Sequence, residues 1–91
     1  MIVKQSGIFS RRVKKLHPAE KQALDAAIKL VIKEPAIGEL KIGDLAGVQV
    51  YKYKFKSQQN LIAYRFVEKK SELTLLALGS HENFYRDLKK Q

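Results

Sequence analysis

The chain contains only two prolines, Pro18 and Pro35, and they fence off a segment with a single apolar stripe. Between them Leu24, Ala27, Ile28 and Val31 fall at i, i+3, i+4 and i+7, the spacing of one α-helical face. Pro18 suits the first helical position, where the N–H has no intrahelical partner, and Glu20 suits the positive end of the helix dipole. Pro35 disfavours helix in the residue before it, so the segment stops near Glu34. Upstream, Phe9, Val13 and Leu16 fall at i, i+4 and i+7, which predicts another helix over residues 7–16 with Ser6 or Ser10 as its cap. His17 is the boundary between the two. The link is so short that the two helices must form a hairpin.

Strand signals dominate the rest. Residues 1–5, with β-branched Ile2 and Val3, read as a first strand. Residues 35–47 are irregular, punctuated by Gly38, Gly43 and Gly47. Apolar or alternating runs then cover 48–56, 61–67 and 73–78, separated by turns at 58–60 and 68–71. Short turns between consecutive strands predict an antiparallel meander. Gly79 ends the last strand, and residues 80–90 can form a short terminal helix with Phe84 and Leu88 inward. The expected fold class is α+β, a single domain over residues 1–91. An N-terminal helical hairpin packs on an antiparallel β-sheet of three to four strands, and a short C-terminal helix follows.

Composition narrows the chemistry. A chain of 91 residues buries one modest core and no large enclosed cavity, so any function sits on a surface or in a shallow groove. It has no cysteine and two histidines, His17 and His81. Disulfides, thiol catalysis and Cys- or multi-His metal sites are therefore not expected, nor is a cofactor. No apolar run approaches the roughly 18 residues of a membrane span, and no signal-peptide pattern is visible, so the expected compartment is the cytoplasm. Lys+Arg number 18 against 9 Asp+Glu, a net charge of +9. The whole excess lies in the first 70 residues, because residues 71–91 balance three basic against three acidic side chains. Clustered charge of this kind points to a polyanion or an acidic partner protein; the bland alternative is solubility alone. Arg11, Arg12, Lys14 and Lys15 on the first helix are candidate nucleic-acid contacts.

Residues 48–56 are the most informative stretch. Alternation puts Tyr51, Tyr53 and Phe55 on one strand face and Val48, Val50, Lys52, Lys54 and Lys56 on the other. The apolar side switches midway unless a bulge resets the register. Lysines at a spacing of two are usually a solvated face. They also suit phosphates along a nucleic-acid backbone. His81 follows a strand end and a glycine, where an imidazole can serve as general acid or base near neutrality. Tyr85 can stack on a base or donate a proton, or simply pack beside Phe84.

Taken together, the basic helical hairpin, Gly43-Asp44-Leu45-Ala46-Gly47 leading into Val50-Tyr51-Lys52-Tyr53-Lys54-Phe55, the following Leu61-Ile62-Ala63-Tyr64, and the closing Leu75-Leu76-Ala77-Leu78-Gly79-Ser80-His81-Glu82-Asn83-Phe84-Tyr85 resemble the RelE/ParE superfamily of bacterial type II toxins over nearly the whole length. The resemblance implies a toxin held inactive by a cognate acidic antitoxin. RelE-like members cut mRNA in the ribosomal A site, whereas ParE-like members inhibit DNA gyrase without hydrolysis. Lys52 and Lys54 match the strand lysines of the RelE pattern. Its arginine opening the next strand falls on Leu61, with Arg65 four places on, and its arginine after the strand-end glycine falls on His81. Gly79-Ser80-His81 with an aromatic at 85 is closer to the YafQ-like branch, although the second histidine of that branch has no counterpart in the strand region. The chemistry implied is in-line attack of a ribose 2′-OH on the adjacent phosphate. His81 would be base or acid, Lys52, Lys54 and Arg65 would stabilise charge, and Tyr85 would stack or donate a proton. The partners implied are the antitoxin with ribosome and mRNA, or with DNA gyrase. A non-catalytic basic RNA-binding module is the remaining reading.

Overall fold

In the computed structural model, which describes residues 1–80 and Phe84, two helices cover one face of a five-stranded sheet. The strands are β1 (Ile2–Gln5), β2 (Glu39–Leu40), β3 (Gln49–Phe55), β4 (Gln58–Val67) and β5 (Glu72–Ser80), in the order β1-β5-β4-β3-β2. The helices are α1 (Gly7–Lys14) and α2 (Pro18–Lys33), and short 3₁₀ turns lie at Pro35–Ile37, Gly43–Leu45 and Glu68–Lys70.

Local chemistry explains the hairpin. The Ser6 hydroxyl caps α1 by accepting from the Phe9 N–H at 3.0 Å. It also donates to the Leu76 carbonyl at 2.6 Å, which fastens the helix start to the sheet. The helix ends two residues before the predicted Leu16. Lys15 and Leu16 close it with i−3 bonds to Arg12 and Val13, the usual tightening of a last turn. Pro18 then opens α2, and the Glu20 carboxylate accepts the His17 N–H at 3.2 Å. The helix stops at Lys33, before Pro35 as expected.

The sheet differs from the expected antiparallel meander of three to four strands in two ways. It has five strands, and β1 runs parallel to β5 while all other neighbours are antiparallel. Parallel pairing needs a long connection, and nearly the whole chain supplies it. The fifth strand, β2, is a two-residue edge paired as Glu39↔Val50 and Leu40↔Gln49. It lies in the stretch read as irregular, where so short a ladder leaves no alternating pattern. The β3–β4 turn is Lys56-Ser57, and Gln58, Gln59 and Asn60 belong to β4, opposite Phe55, Lys54 and Tyr53. Polar residues can prolong a ladder where both faces are wet, so the apolar run underestimates the strand. β5 likewise continues through Gly79 to Ser80. The expected terminal helix at 80–90 falls, beyond Ser80, outside the described residues apart from Phe84.

Two apolar clusters result. Phe9, Leu24, Ala27 and Val31 from the helices pack against Ile62, Tyr64, Leu73, Leu75 and Leu78. On the opposite face Val48, Val50, Leu61, Ala63, Ala77 and Phe84 form the other cluster. The register shift at Ala63/Tyr64 leaves Leu76 as an extra residue in β5. That bulge lets Leu75 and Leu78 join the helix-side cluster while Ala77 joins the other. No register shift interrupts β3 and β4, so the apolar switch read in β3 is real. Its early outward residues are buried, and its later ones are lysines.

The irregular stretch before β3 is pinned by one phenol. Tyr64, fully buried, donates to the Pro35 carbonyl at 2.6 Å and accepts the Gly38 N–H at 2.9 Å. The Gln49 amide also donates to Pro35 O at 2.8 Å. A Cβ at position 38 would sit 2.5 Å from the Tyr64 oxygen, so only glycine fits this approach.

Candidate functional site

Strand alternation places Lys52 and Lys54 on the sheet face away from the helices, both exposed. They are about 7 Å apart along β3 at roughly 3.3 Å per residue. Lys52 pairs with Leu61 and Lys54 with Gln59. Leu61 is only 1% exposed and belongs to the outer apolar cluster. Lys56 leaves the strand for the hairpin turn, with φ 57° and its ammonium 5.5 Å from the Phe55 ring centroid. The lysine row is thus two strand residues and one turn residue.

Arg65 is exposed in β4 opposite Thr74. It lies four residues from Leu61, about 13 Å along the strand, beyond the buried Val50–Ala63 pair. Its guanidinium lies near Gly47, 3.7 Å from where a Cβ would stand. The structure therefore does not gather Arg65 with Lys52 and Lys54. His81 and Tyr85 lie outside the described residues. The described part of β5 ends at Ser80, paired with Asn60, immediately before His81 in the chain.

The basic residues of α1 divide as well. Arg11, Lys14 and Lys15 are exposed, whereas Arg12 is half-buried and turned toward the end of β5. Its guanidinium carbon is 3.9 Å from a Cβ placed on Gly79, whose φ of 155° also favours glycine. Arg12 lines a groove of about 140 Å³ together with Leu16, Glu20, Tyr53, Phe55, Gln58, Asn60 and the Leu78–Ser80 end of β5. Burial and the nearby Glu20 carboxylate push the Tyr53 phenol up to about 12. The lining residues are scattered from position 12 to position 80, so the linear sequence does not announce this groove. Its only local signal is two aromatics alternating with lysines, followed by the amides of Gln58 and Asn60. Among the described residues no cluster of three or more His, Cys, Asp or Glu can hold a metal ion.

The family model for the ParE-like toxin of type II bacterial toxin–antitoxin systems matches residues 3–89. The chain belongs to this family. The toxin's fold is similar to that in the Mycobacterium tuberculosis RelBE2 toxin–antitoxin complex, with a TM-score of 0.74 at 20% identity over 88% of this chain and 96% of that one. It is also similar to the intact Escherichia coli RelBE toxin–antitoxin complex (TM-score 0.70, 18% identity, 89% of this chain and 96% of that one). The free Escherichia coli RelE toxin, as a double arginine-to-alanine mutant, gives a TM-score of 0.74 at 16% identity over 98% of this chain and 94% of that one. At these identities the likeness to RelE concerns the fold alone. A comparison with curated protein sequences gives no match. Among the toxin's described residues no helix is long and apolar enough to cross a membrane.

Proposed function

We propose that this toxin is a ribosome-dependent mRNA endoribonuclease of the cytoplasm, neutralised by an acidic antitoxin. The observation that carries the reading is the exposed pair Lys52 and Lys54 on one sheet face, on a chain with the RelE-like order of elements. Cleavage by in-line attack of the ribose 2′-OH needs a base at that hydroxyl, positive charge at the phosphate and an acid at the leaving oxygen. Lys52 and Lys54 supply the charge. His81 is the proposed base or acid, and Tyr85 stacks on a base or donates the proton. Arg65, well separated from the lysines, contributes charge to the approaching strand rather than to the scissile phosphate.

The antitoxin is inferred from the family and from the surface. Apolar side chains are exposed at both sheet edges: Ile2 (57%) on β1, and Leu40 (62%) and Ile42 (88%) on and just after β2. Such patches are the kind a partner covers, and a net charge of +9 favours an acidic one.

Inhibition of DNA gyrase is the second reading. Leu61 favours it, because a buried leucine stands where the RelE-like pattern has an arginine. Ribosomes programmed with a defined mRNA separate the two. The proposal expects A-site cleavage by the wild-type toxin and its loss in His81→Ala. Intact mRNA together with blocked gyrase supercoiling would replace it with the second reading.

A further inference from the structure

The groove behind the lysine face is built from polar edges and flat apolar walls. Tyr53 and Phe55 project side by side from β3, with Leu16 and Leu78 completing the apolar lining. The amides of Gln58 and Asn60 and the Ser80 hydroxyl supply donors and acceptors from β4 and β5. Arg12 brings a planar guanidinium from α1, and Glu20 brings a carboxylate from the first turn of α2, held in place by the His17 N–H at 3.2 Å. Arg12 and Glu20 are the only charged side chains lining it among the described residues. Their opposite signs leave little net pull on a bare phosphate or on a peptide carboxylate. A neutral heterocycle fits better, because it offers flat faces to aromatic rings and guanidinium and a mixed donor–acceptor edge to amides.

We infer that this groove is a nucleobase subsite, taking one base of an RNA strand whose phosphates cross the β3–β4 hairpin. The path is short. Lys54 stands on the outer face, Lys56 in the hairpin turn, and Phe55 and Gln58 open the groove on the inner face. A strand gripped at Lys52 and Lys54 can turn over Lys56 and seat its next unstacked base against Tyr53 and Phe55. The inference rests on the RNA reading for the class of ligand, and it assigns that ligand a site the cleavage chemistry does not use.

The test is a titration of the full chain with adenosine monophosphate, followed by the side-chain amide NMR signals of Asn60 and Gln58. Ribose phosphate serves as the base-free control and a poly-glutamate peptide as the acidic-protein arm. Saturable shifts with the nucleotide and not with ribose phosphate are expected, weakened about tenfold in Asn60→Ala and in Tyr53→Leu. Asn60→Ala keeps the test decisive if Tyr53→Leu does not fold. The proposal is overturned if the nucleotide leaves these amides unmoved, if ribose phosphate moves them equally, or if poly-glutamate alone moves them. Nucleotide in the groove without mRNA cleavage would sink the ribonuclease and leave the subsite standing. Cleavage with an empty groove would do the reverse.

Discussion

Lys52 faces Leu61 across the β3–β4 ladder, so an exposed cation has a fully buried core residue as its cross-strand neighbour. Position 61 cannot take a second cation cheaply. Leu61→Arg would bury a charge among Val48, Val50, Ala63, Ala77 and Phe84 and is expected to cost about 3–5 kcal/mol. Chemical denaturation checks the loss. A stable Leu61→Arg toxin would mean that this cluster opens more readily than its packing implies.

Lys52→Ala and Lys54→Ala should behave in the opposite way. Both side chains are exposed, so each substitution should change stability by less than about 0.5 kcal/mol. With either cation removed from the proposed phosphate site, mRNA cleavage should slow by about 10²-fold. Single-turnover cleavage on programmed ribosomes, with melting curves on the same preparations, separates the two effects.

The Tyr64–Gly38 lock predicts a purely structural phenotype. Tyr64→Phe removes the acceptor of the Gly38 N–H and the donor to Pro35 O, at about 1–3 kcal/mol. Gly38→Ala pushes a methyl into the phenol at 2.5 Å and should cost a similar amount. Hydrogen exchange should then quicken at Gly38 and along β2 before it does in β4 and β5.

These contrasts bear on what can be read from a chain of this kind. The α2 boundaries are written locally, in Pro18, Glu20 and Pro35, and local signals survive without tertiary knowledge. The β1–β5 pairing is not local. Ile2 meets Glu72, and nothing in residues 1–5 names that partner or its parallel sense. The bulge at Leu76 hides because the residues around it are apolar on both sides. Lys52 and Lys54 were legible as a face because alternation along one strand is enough to place them. Arg65 is only four residues from Leu61 in sequence, yet strand geometry carries it about 13 Å along β4 from the position facing Lys52. The groove was invisible because its walls come from α1, α2, β3, β4 and β5.

Alkaline pH should reveal Tyr53. Its phenol is held neutral up to about 12 in the folded chain, against about 10 when unfolded. The unfolded state therefore loses its proton first. Stability from this group is complete below about pH 10 and disappears as pH rises toward about 12. Tyr64, raised by burial against a smaller lowering from the Gly38 hydrogen bond, adds in the same direction. Every other titrating group is common to the two proteins, so Tyr53→Phe measured beside wild type isolates the effect. The wild type should lose stability more steeply above pH 10, and its tyrosinate absorbance should lag that of the denatured chain.

Lys56 joins backbone strain to the proposed RNA path. Its φ of 57° is in the left-handed region, which costs a non-glycine residue about 1–2 kcal/mol. Glycine removes that strain but adds about 0.4–1 kcal/mol of unfolded-state entropy. Lys56→Gly should therefore stabilise the fold by about 0.5–1 kcal/mol, seen as a higher denaturation midpoint with an unchanged slope. If phosphates cross the hairpin here, the same variant binds single-stranded RNA more weakly, and its log–log salt slope is shallower by about 0.7, one phosphate contact. Greater stability with an unchanged salt slope would place the RNA path elsewhere on the sheet.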